Sequence, residues 1–474
     1  MIFNSWEFLL FFVVVFAVYA SVKLRWQNLL LVVASYFFYG WWDWRFLSLL
    51  LLSTVVDYAV GRLMDQAPDE RRRKALLLVS VFTNLGILGF FKYCNFFVDS
   101  AVGALTSMGL EAHAPTLQIV LPVGISFYTF QTMAYTIDVY RRRMPVVKDP
   151  VAFAVYVSYF PQLVAGPIER AQHLLPQFEA PRTITMEKLS SGALLVLIGL
   201  VRKVVIADVA AGEVDAAFGD PGSLGSWALL RAVLLFGLQI YGDFAGYTDI
   251  ARGISRMLGI ELMRNFEHPY FSTNITVFWR RWHVSLSSWL RDYLYIPLGG
   301  NKGPAWFVYR NLLLTMLLGG LWHGAAWTFV VWGAIHGAAL SIHKLLLRGK
   351  RPPMWPEMPR TAGGVVKTAA SWLLTMVVVY VAWVFFRATS FGNAYDVLAG
   401  IFSFQGGFSV RSLVMPVLLT ALLLFLDVPQ YLSREHIVMR RWPWPVRGVV
   451  FAVLILILAI FRSESDVPFI YFQF

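Results

Sequence analysis

The number of apolar runs is the feature that most constrains how this chain folds. They recur from residue 8 to residue 460, and short basic or turn-rich segments separate them. A helix needs about 20 apolar residues to cross the hydrocarbon core of a bilayer. Several runs are shorter, so tilted, broken or re-entrant helices are expected. The predicted spans are 8–22, 27–39, 47–60, 75–91, 117–137, 189–207, 227–250, 308–320, 327–342, 365–386, 413–426 and 446–460.

Composition supports this interpretation. Apolar residues make up 58% of the 474 positions and charged residues 14%, against about 45–50% and about 25% in soluble domains. We therefore predict an all-α polytopic membrane protein in contact with the lipid bilayer. It should have about 11–12 transmembrane helices plus re-entrant or interfacial helices, in a single domain over residues 1–474. The formal charge of +12 sits in loops, where it signals topology rather than nucleic-acid binding.

Loop charges give a consistent topology. The first apolar run has its basic residues after it, which favours an uncleaved span with the N-terminus outside. Four basic loops, at 62–74, 141–143, 344–351 and 434–447, then fall in the cytoplasm. The acidic stretch 208–220 falls outside. Both chain ends are expected outside as well.

Two polar segments interrupt apolar stretches. Residues 151–165 are bounded by prolines and predict a re-entrant or interfacial segment. Tyr241, Asp243 and Asp249 lie in a predicted span, where carboxylates are functional candidates. Asp243 and Tyr247 are four residues apart and share a helix face. The alternatives are that Asp249 lies at the membrane interface and that Tyr or Arg side chains satisfy the carboxylate of Asp243 structurally.

A basic and aromatic segment follows at residues 278–301. It carries Arg280, Arg281 and Arg291, with Lys302 just beyond it, against the single carboxylate of Asp292. Residues 297–301 read Pro-Leu-Gly-Gly-Asn, which is typical of a turn. Such a segment can hold phosphates, and it can equally bind anionic lipid headgroups.

His323 stands among glycines and apolar residues, in Gly-Gly-Leu-Trp-His-Gly. A partly desolvated histidine stays neutral near pH 7 and can accept a proton. His283 is the second candidate, forty positions earlier. His336 is thirteen residues beyond His323, which would place it on another face of one straight helix. No spacing typical of a metal site is present. Activation of a hydroxyl and a proton relay in a transporter both remain open.

Long motifs at these positions resemble those of the membrane-bound O-acyltransferases. Within that family the chain is most similar to the bacterial alginate O-acetyltransferase membrane subunits and their relatives. The central motifs are residues 278–301 and 317–324. The supporting motifs are residues 28–36, 165–170, 241–249 and 469–474.

The resemblance implies helices around a central tunnel, with His323 as the principal catalytic residue and His283 as the second. It implies no bound cofactor, and a cytosolic thioester donor, acetyl-CoA or less often an acyl carrier. The acceptor would be an exported polysaccharide such as alginate or cellulose. A periplasmic acetyltransferase or esterase-like partner and the bacterial inner membrane are implied too. The alternatives are a proton-coupled transporter and a structural subunit of a polysaccharide export machine.

Ten further residues are expected to bind the donor or the acceptor. They are Arg280, Arg281, Trp282, Arg291, Asp292, Asn301, Tyr241, Asp243, Asp249 and Trp322. In the expected mechanism, Arg280, Arg281 and Lys302 attract the donor's phosphates and His323 acts as a general base.

Overall fold

A computed structural model describes residues 1–111, 117, 119–357, 359–461, 469 and 470. These residues form helices joined by turns, and no strand occurs among them. The prediction of an all-α protein is therefore confirmed. His113 and most of the motif at residues 469–474 lie outside the described residues.

In chain order, the α-helices of the described residues are α1 Trp6–Ser21, α2 Leu24–Asp43, α3 Leu47–Gln66, α4 Glu70–Leu88, α5 Cys94–Ser107, α6 Ile125–Tyr140, α7 Pro150–Ser158, α8 Phe160–Leu163, α9 Ala171–Glu179, α10 Met186–Leu200, α11 Asp208–Gly219, α12 Ser226–Met257, α13 Ile275–Arg281, α14 Val284–Leu290, α15 Ala305–His323, α16 Trp327–Leu347, α17 Ala362–Arg387, α18 Phe391–Phe402, α19 Val414–Ser433 and α20 Trp444–Phe461. Wider π-helical turns cover Gly89–Tyr93, Val201–Ala207 and Arg291–Tyr295.

Seven helical segments in the described part of the chain are long and apolar enough to cross a membrane. They are Leu24–Gln66, Glu70–Ser107, Ser226–Met257, Trp327–Leu347, Ala362–Arg387, Val410–Ser433 and Trp444–Phe461. The first two are 43 and 38 residues long, and each contains two α-helices. The chain is thus a multi-pass membrane protein, although some predicted spans, such as 189–207 and 308–320, correspond to helices outside this set.

One predicted span begins in the wrong place. The span expected at 117–137 corresponds to α6, which starts only at Ile125. Gly124 precedes it with φ +75°, a left-handed conformation that favours glycine and stops a helix from extending backwards. Pro122 lies just before, and it cannot supply a helical N–H.

The described chain divides into two compact units. Unit 1 comprises Met1–Gly192 and Ile254–Met263, and unit 2 comprises Ala193–Gly253 and Arg264–Phe474. In unit 1, α3, α4 and α6 enclose a polar cluster around the buried Asp57. Its carboxylate accepts from Ser80 Oγ at 2.5 Å and from Asn84 Nδ2 at 2.8 Å. These bonds offset the cost of burying the carboxylate.

Residues 151–165 are interrupted, as their prolines predict. They form α7 and the single-turn α8, and nearly all of their side chains are buried in unit 1. Gln131 and Gln162 both donate to the carbonyl oxygen of Tyr156, at 2.5 and 3.0 Å. Side-chain amides therefore satisfy the backbone where the helix is broken.

Glycines bring two pairs of helices in unit 2 into backbone contact. A Cβ on Gly320 of α15 would lie 2.2 Å from the carbonyl oxygen of Phe329, and one on Gly333 of α16 would lie 2.3 Å from that of Met316. Gly199 and Gly246 bring α10 and α12 together in the same way. Such small-residue contacts let membrane helices approach closely, and the contact between α15 and α16 fixes the position of His323.

Candidate active site

His323 is the last residue of α15 and is almost fully buried. Its ring lies among aromatic rings, with centroids 5.0 Å from Trp322, 5.0 Å from Trp332 and 5.3 Å from Phe386. All three contacts are edge-to-face. The helix ends at this residue because the backbone is extended at Gly324, where a Cβ would lie 2.0 Å from the ring of Phe329. Glycine is therefore required beside the candidate catalyst.

His283 lies in the turn between α13 and α14 and is fully buried. Its φ of +43° is unusual for a residue with a side chain and costs about 1–3 kcal/mol. Asn265 stabilises this turn with both its backbone and its side chain. Its carbonyl oxygen accepts from the backbone N–H of Val284 at 2.9 Å, and its side-chain oxygen accepts from that of Ser285 at 3.2 Å.

The same side-chain oxygen of Asn265 determines the protonation of His283. It lies 3.2 Å from Nδ1 of the imidazole, and an amide oxygen only accepts hydrogen bonds. Nδ1 therefore carries the proton, and Nε2 is the basic nitrogen. Burial lowers the pKa of His283 to about 3, so the ring is neutral at physiological pH.

The structure brings the two predicted histidines together. The ring centroids of His283 and His323 are 6.3 Å apart, and Trp322 contacts both rings. Hydrogen bonds to a general base span about 3 Å. The pair is thus spaced to hold one small polar group between the two imidazoles.

Tyr241, Asp243 and Asp249 belong to an ionic cluster on α12. Arg202 forms an ion pair with Asp249, and Lys203 lies 2.8 Å from Asp243. Both cations come from the π-helical turn Val201–Ala207. Asp249, which the sequence left either functional or interfacial, is buried and paired with Arg202 and Arg252.

A distant residue completes this cluster. Asp427 of α19 pairs with Arg202, accepts from the hydroxyl of Tyr241 at 2.7 Å and lies 3.4 Å from Nδ1 of His268. Next to these groups is a cavity of about 10 Å³, enough for about one water molecule. Asn265 lines it and thereby connects the cluster to His283. Sequence reasoning missed Asp427, Arg202 and Asn265.

The neighbouring arginines Arg280 and Arg281 have different surroundings. Arg280 is exposed and donates to the carbonyl oxygen of Pro352 at 2.8 Å. Arg281 is buried, with its guanidinium 4.4 Å from the ring of Trp355 and 5.2 Å from that of Tyr431. It also donates to the carbonyl oxygen of Met354. Arg280 is therefore the more accessible of the two for a phosphate.

The remaining predicted residues lie in two places. Trp282 is buried in the aromatic core, with its ring 4.9 Å from that of Trp383. Arg291 and Asp292 form an ion pair at 2.7 Å that is largely exposed on the arginine side. Asn301 is exposed and accepts from Lys344 Nζ at 2.7 Å. These surface groups are thus not part of the buried histidine pair.

The helix break at Gly324 changes the position expected for His336. His323 and His336 do not share one straight helix, because α15 ends at His323 and α16 starts at Trp327. The two helices pack against each other, and the ring of Trp332 lies 5.0 Å from His323 and 4.9 Å from His336. The signal available in the sequence was the four-residue spacing of Trp332 and His336, which places both on one helix face.

Comparison with known proteins identifies the family of this chain. Residues 6–386 match the model of the membrane-bound O-acyltransferase family. The probable alginate O-acetylase AlgI of Azotobacter vinelandii is 44% identical over 408 residues, which cover 85% of this chain and 78% of that protein. The protein of the same name from Pseudomonas putida is 39% identical over 506 residues, with both chains covered completely. The peptidoglycan O-acetyltransferase of Helicobacter pylori is 38% identical over 407 residues, covering 80% of this chain and 74% of that protein.

The residues alone left two functions open, activation of a hydroxyl and a proton relay in a transporter. The family match favours the first, because members of an O-acyltransferase family transfer acyl groups to hydroxyls. The chain, a multi-pass membrane protein with a buried histidine pair, belongs to the membrane-bound O-acyltransferase family and is an O-acyltransferase.

Proposed function

We propose that this enzyme takes an acetyl group from cytosolic acetyl-CoA and delivers it across the bacterial inner membrane for O-acetylation of an exported polysaccharide. The observation that carries the proposal is the pair His283 and His323, 6.3 Å apart in a buried aromatic site. The relatives named as alginate O-acetylases support an acetyl donor and a uronic-acid polymer as acceptor. The peptidoglycan O-acetyltransferase supports cell-wall glycan as the second acceptor to test.

In the proposed mechanism, His323 removes the proton from the acceptor hydroxyl as its oxygen attacks the acetyl carbonyl carbon. A C–O bond forms, the C–S bond of the thioester breaks, and the leaving sulfur takes the proton from His323. The products are the O-acetyl ester and free CoA thiol. His283 is neutral and carries its lone pair on Nε2 in this tautomer, so it accepts a hydrogen bond from an amide N–H of the donor's pantetheine arm and orients the donor.

On the donor side, Arg280 attracts the phosphates of CoA, with Lys302 as a second exposed cation. The acetylated product passes to a periplasmic acetyltransferase or esterase-like partner, which completes transfer to the polymer. No resident cofactor takes part in these steps, because the thioester is already activated for acyl transfer.

The test uses vesicles that contain the enzyme together with its periplasmic partner, and acetyl-CoA labelled in the acetyl group. Alginate oligosaccharides and peptidoglycan fragments serve as acceptors, and label in the acceptor is measured against time. His323→Ala should abolish transfer, whereas the control His173→Gln, at a half-exposed histidine of unit 1, should retain it. Transfer by His323→Ala at the native rate would overturn the assignment. Failure of the native enzyme to use acetyl-CoA would overturn the donor.

A further inference from the structure

Trp279 and His336 form a buried hydrogen bond that determines which nitrogen of His336 carries a proton. The indole Nε1 of Trp279 donates to Nδ1 of His336 across 3.3 Å. Indole has a donor and no acceptor, so Nδ1 must present its lone pair. The neutral ring of His336 therefore carries its proton on Nε2 and is a donor there.

Two buried N–H groups on α16 have no acceptor among the described residues. They are Nε2 of His336 and Nε1 of Trp332, and both side chains are at most 1% exposed. Burying a donor without an acceptor costs about 1–3 kcal/mol, and such groups are rare in proteins. Two of them on one helix face indicate that an acceptor arrives from outside the protein.

The position of these donors relates them to the catalytic histidine. Trp332 and His336 are one turn apart on α16 and their rings are 4.9 Å apart. Trp332 also contacts His323, whose ring is 5.0 Å away. The donors thus lie on the α16 side of His323, while His283 lies within 6.3 Å of it. A group bound beside His323 is therefore close enough to contact the side chain of Trp332.

We infer that Trp332 and His336 donate hydrogen bonds to the carbonyl oxygen of the acyl group while His323 activates the attacking hydroxyl. The inference rests on the proposed function. Negative charge develops on that oxygen when the hydroxyl adds to the carbonyl, and fixed donors in a dry site stabilise it. The two donors keep their protons throughout, because the proton of the hydroxyl goes to His323 and then to the leaving sulfur. Trp279 is a positioning residue that acts through His336.

The first experiment measures kcat and KM separately with labelled acetyl-CoA. Trp332→Phe and His336→Leu each remove one N–H and should lower kcat about 10²- to 10³-fold, with much smaller changes in KM. His336→Gln restores an N–H donor near the position of Nε2 and should recover much of the loss. Trp306→Phe, at an exposed indole at the far end of α15, should match the native enzyme. Native kcat in both Trp332→Phe and His336→Leu would overturn the inference.

The second experiment distinguishes failure of this inference from failure of the proposed function. Its probe is the methyl-ketone analogue of acetyl-CoA, and the measurement is the infrared stretching frequency of its carbonyl when bound. The native enzyme and His323→Ala should both lower this frequency relative to solution, and Trp332→Phe and His336→Leu should lower it less. A frequency that is the same in all four proteins overturns the donor assignment and leaves acyl transfer standing. If the native enzyme neither binds the analogue nor uses acetyl-CoA, the proposed function is overturned and the inference with it.

Discussion

The side-chain oxygen of Asn265 accepts from Nδ1 of His283 at 3.2 Å and so holds the imidazole in one tautomer. Replacing this residue in Asn265→Ala removes the acceptor and frees the ring to rotate. We expect kcat to fall about ten- to a hundredfold, the range found when a partner that orients a metal-bound histidine is lost. The control is Asn393→Ala, at an amide that bonds to the backbone of Phe218. An unchanged kcat in Asn265→Ala would show that the tautomer is irrelevant to transfer.

His283 predicts a specific pH dependence of stability. Its pKa is about 3 in the folded protein and about 6.5 when unfolded. Between these values the unfolded chain binds a proton that the folded protein does not, so stability falls as the pH drops below about 6.5. The loss of thermal stability between pH 7.5 and pH 5.0 should therefore be smaller in His283→Gln than in the native protein. Equal losses would mean that His283 titrates alike in both states.

Gly320→Ala tests the contact between α15 and α16. The new methyl group would lie 2.2 Å from the carbonyl oxygen of Phe329, so the backbones must separate. Overpacking of this kind costs about 1–3 kcal/mol, and the displacement moves His323, three residues away. Both the melting temperature and transfer should fall. Gly363→Ala is the control because a Cβ there meets open space, and a similar loss in both variants would refute the explanation.

Arg280→Ala tests how the donor's phosphates are recognised. Removing this exposed cation should raise KM for acetyl-CoA and change kcat little, and the effect should shrink at high salt because exposed charges are screened. The matched substrate is acetyl-pantetheine, which has the thioester and no phosphate. Its KM should be the same in the native and variant enzymes. An equal rise for both donors would place the role of Arg280 elsewhere.

Asp427→Asn tests the buried ionic cluster. It leaves Arg202 with one fewer carboxylate in a buried site, and breaking a buried pair costs about 3–5 kcal/mol. Asp215→Asn breaks an ion pair with Arg387 in which the carboxylate is 56% exposed, and it should cost no more than about 1 kcal/mol. Thermal unfolding in one detergent gives both values. Similar small losses would mean that water reaches Arg202.

The fold class and the two histidines were predictable because they depend on local signals. Apolar runs identify membrane helices, and long motifs mark His283 and His323. The surroundings of the histidines were not predictable, because contact depends on where the chain turns. His336 lies near His323 only because the helix stops at Gly324. Asp427 pairs with a residue 225 positions earlier, and no periodicity in the sequence records such a pairing.

The pair Arg202 and Asp427 also constrains the order in which the protein is made. Synthesis proceeds from the N-terminus, so Arg202 is released from the ribosome long before the carboxylate that pairs with it. A buried arginine is costly until it is paired. Asp249, only 47 positions later, can shield it during this interval. Helix α12 thus supplies the first carboxylate for Arg202, and α19, which is made later, supplies the second.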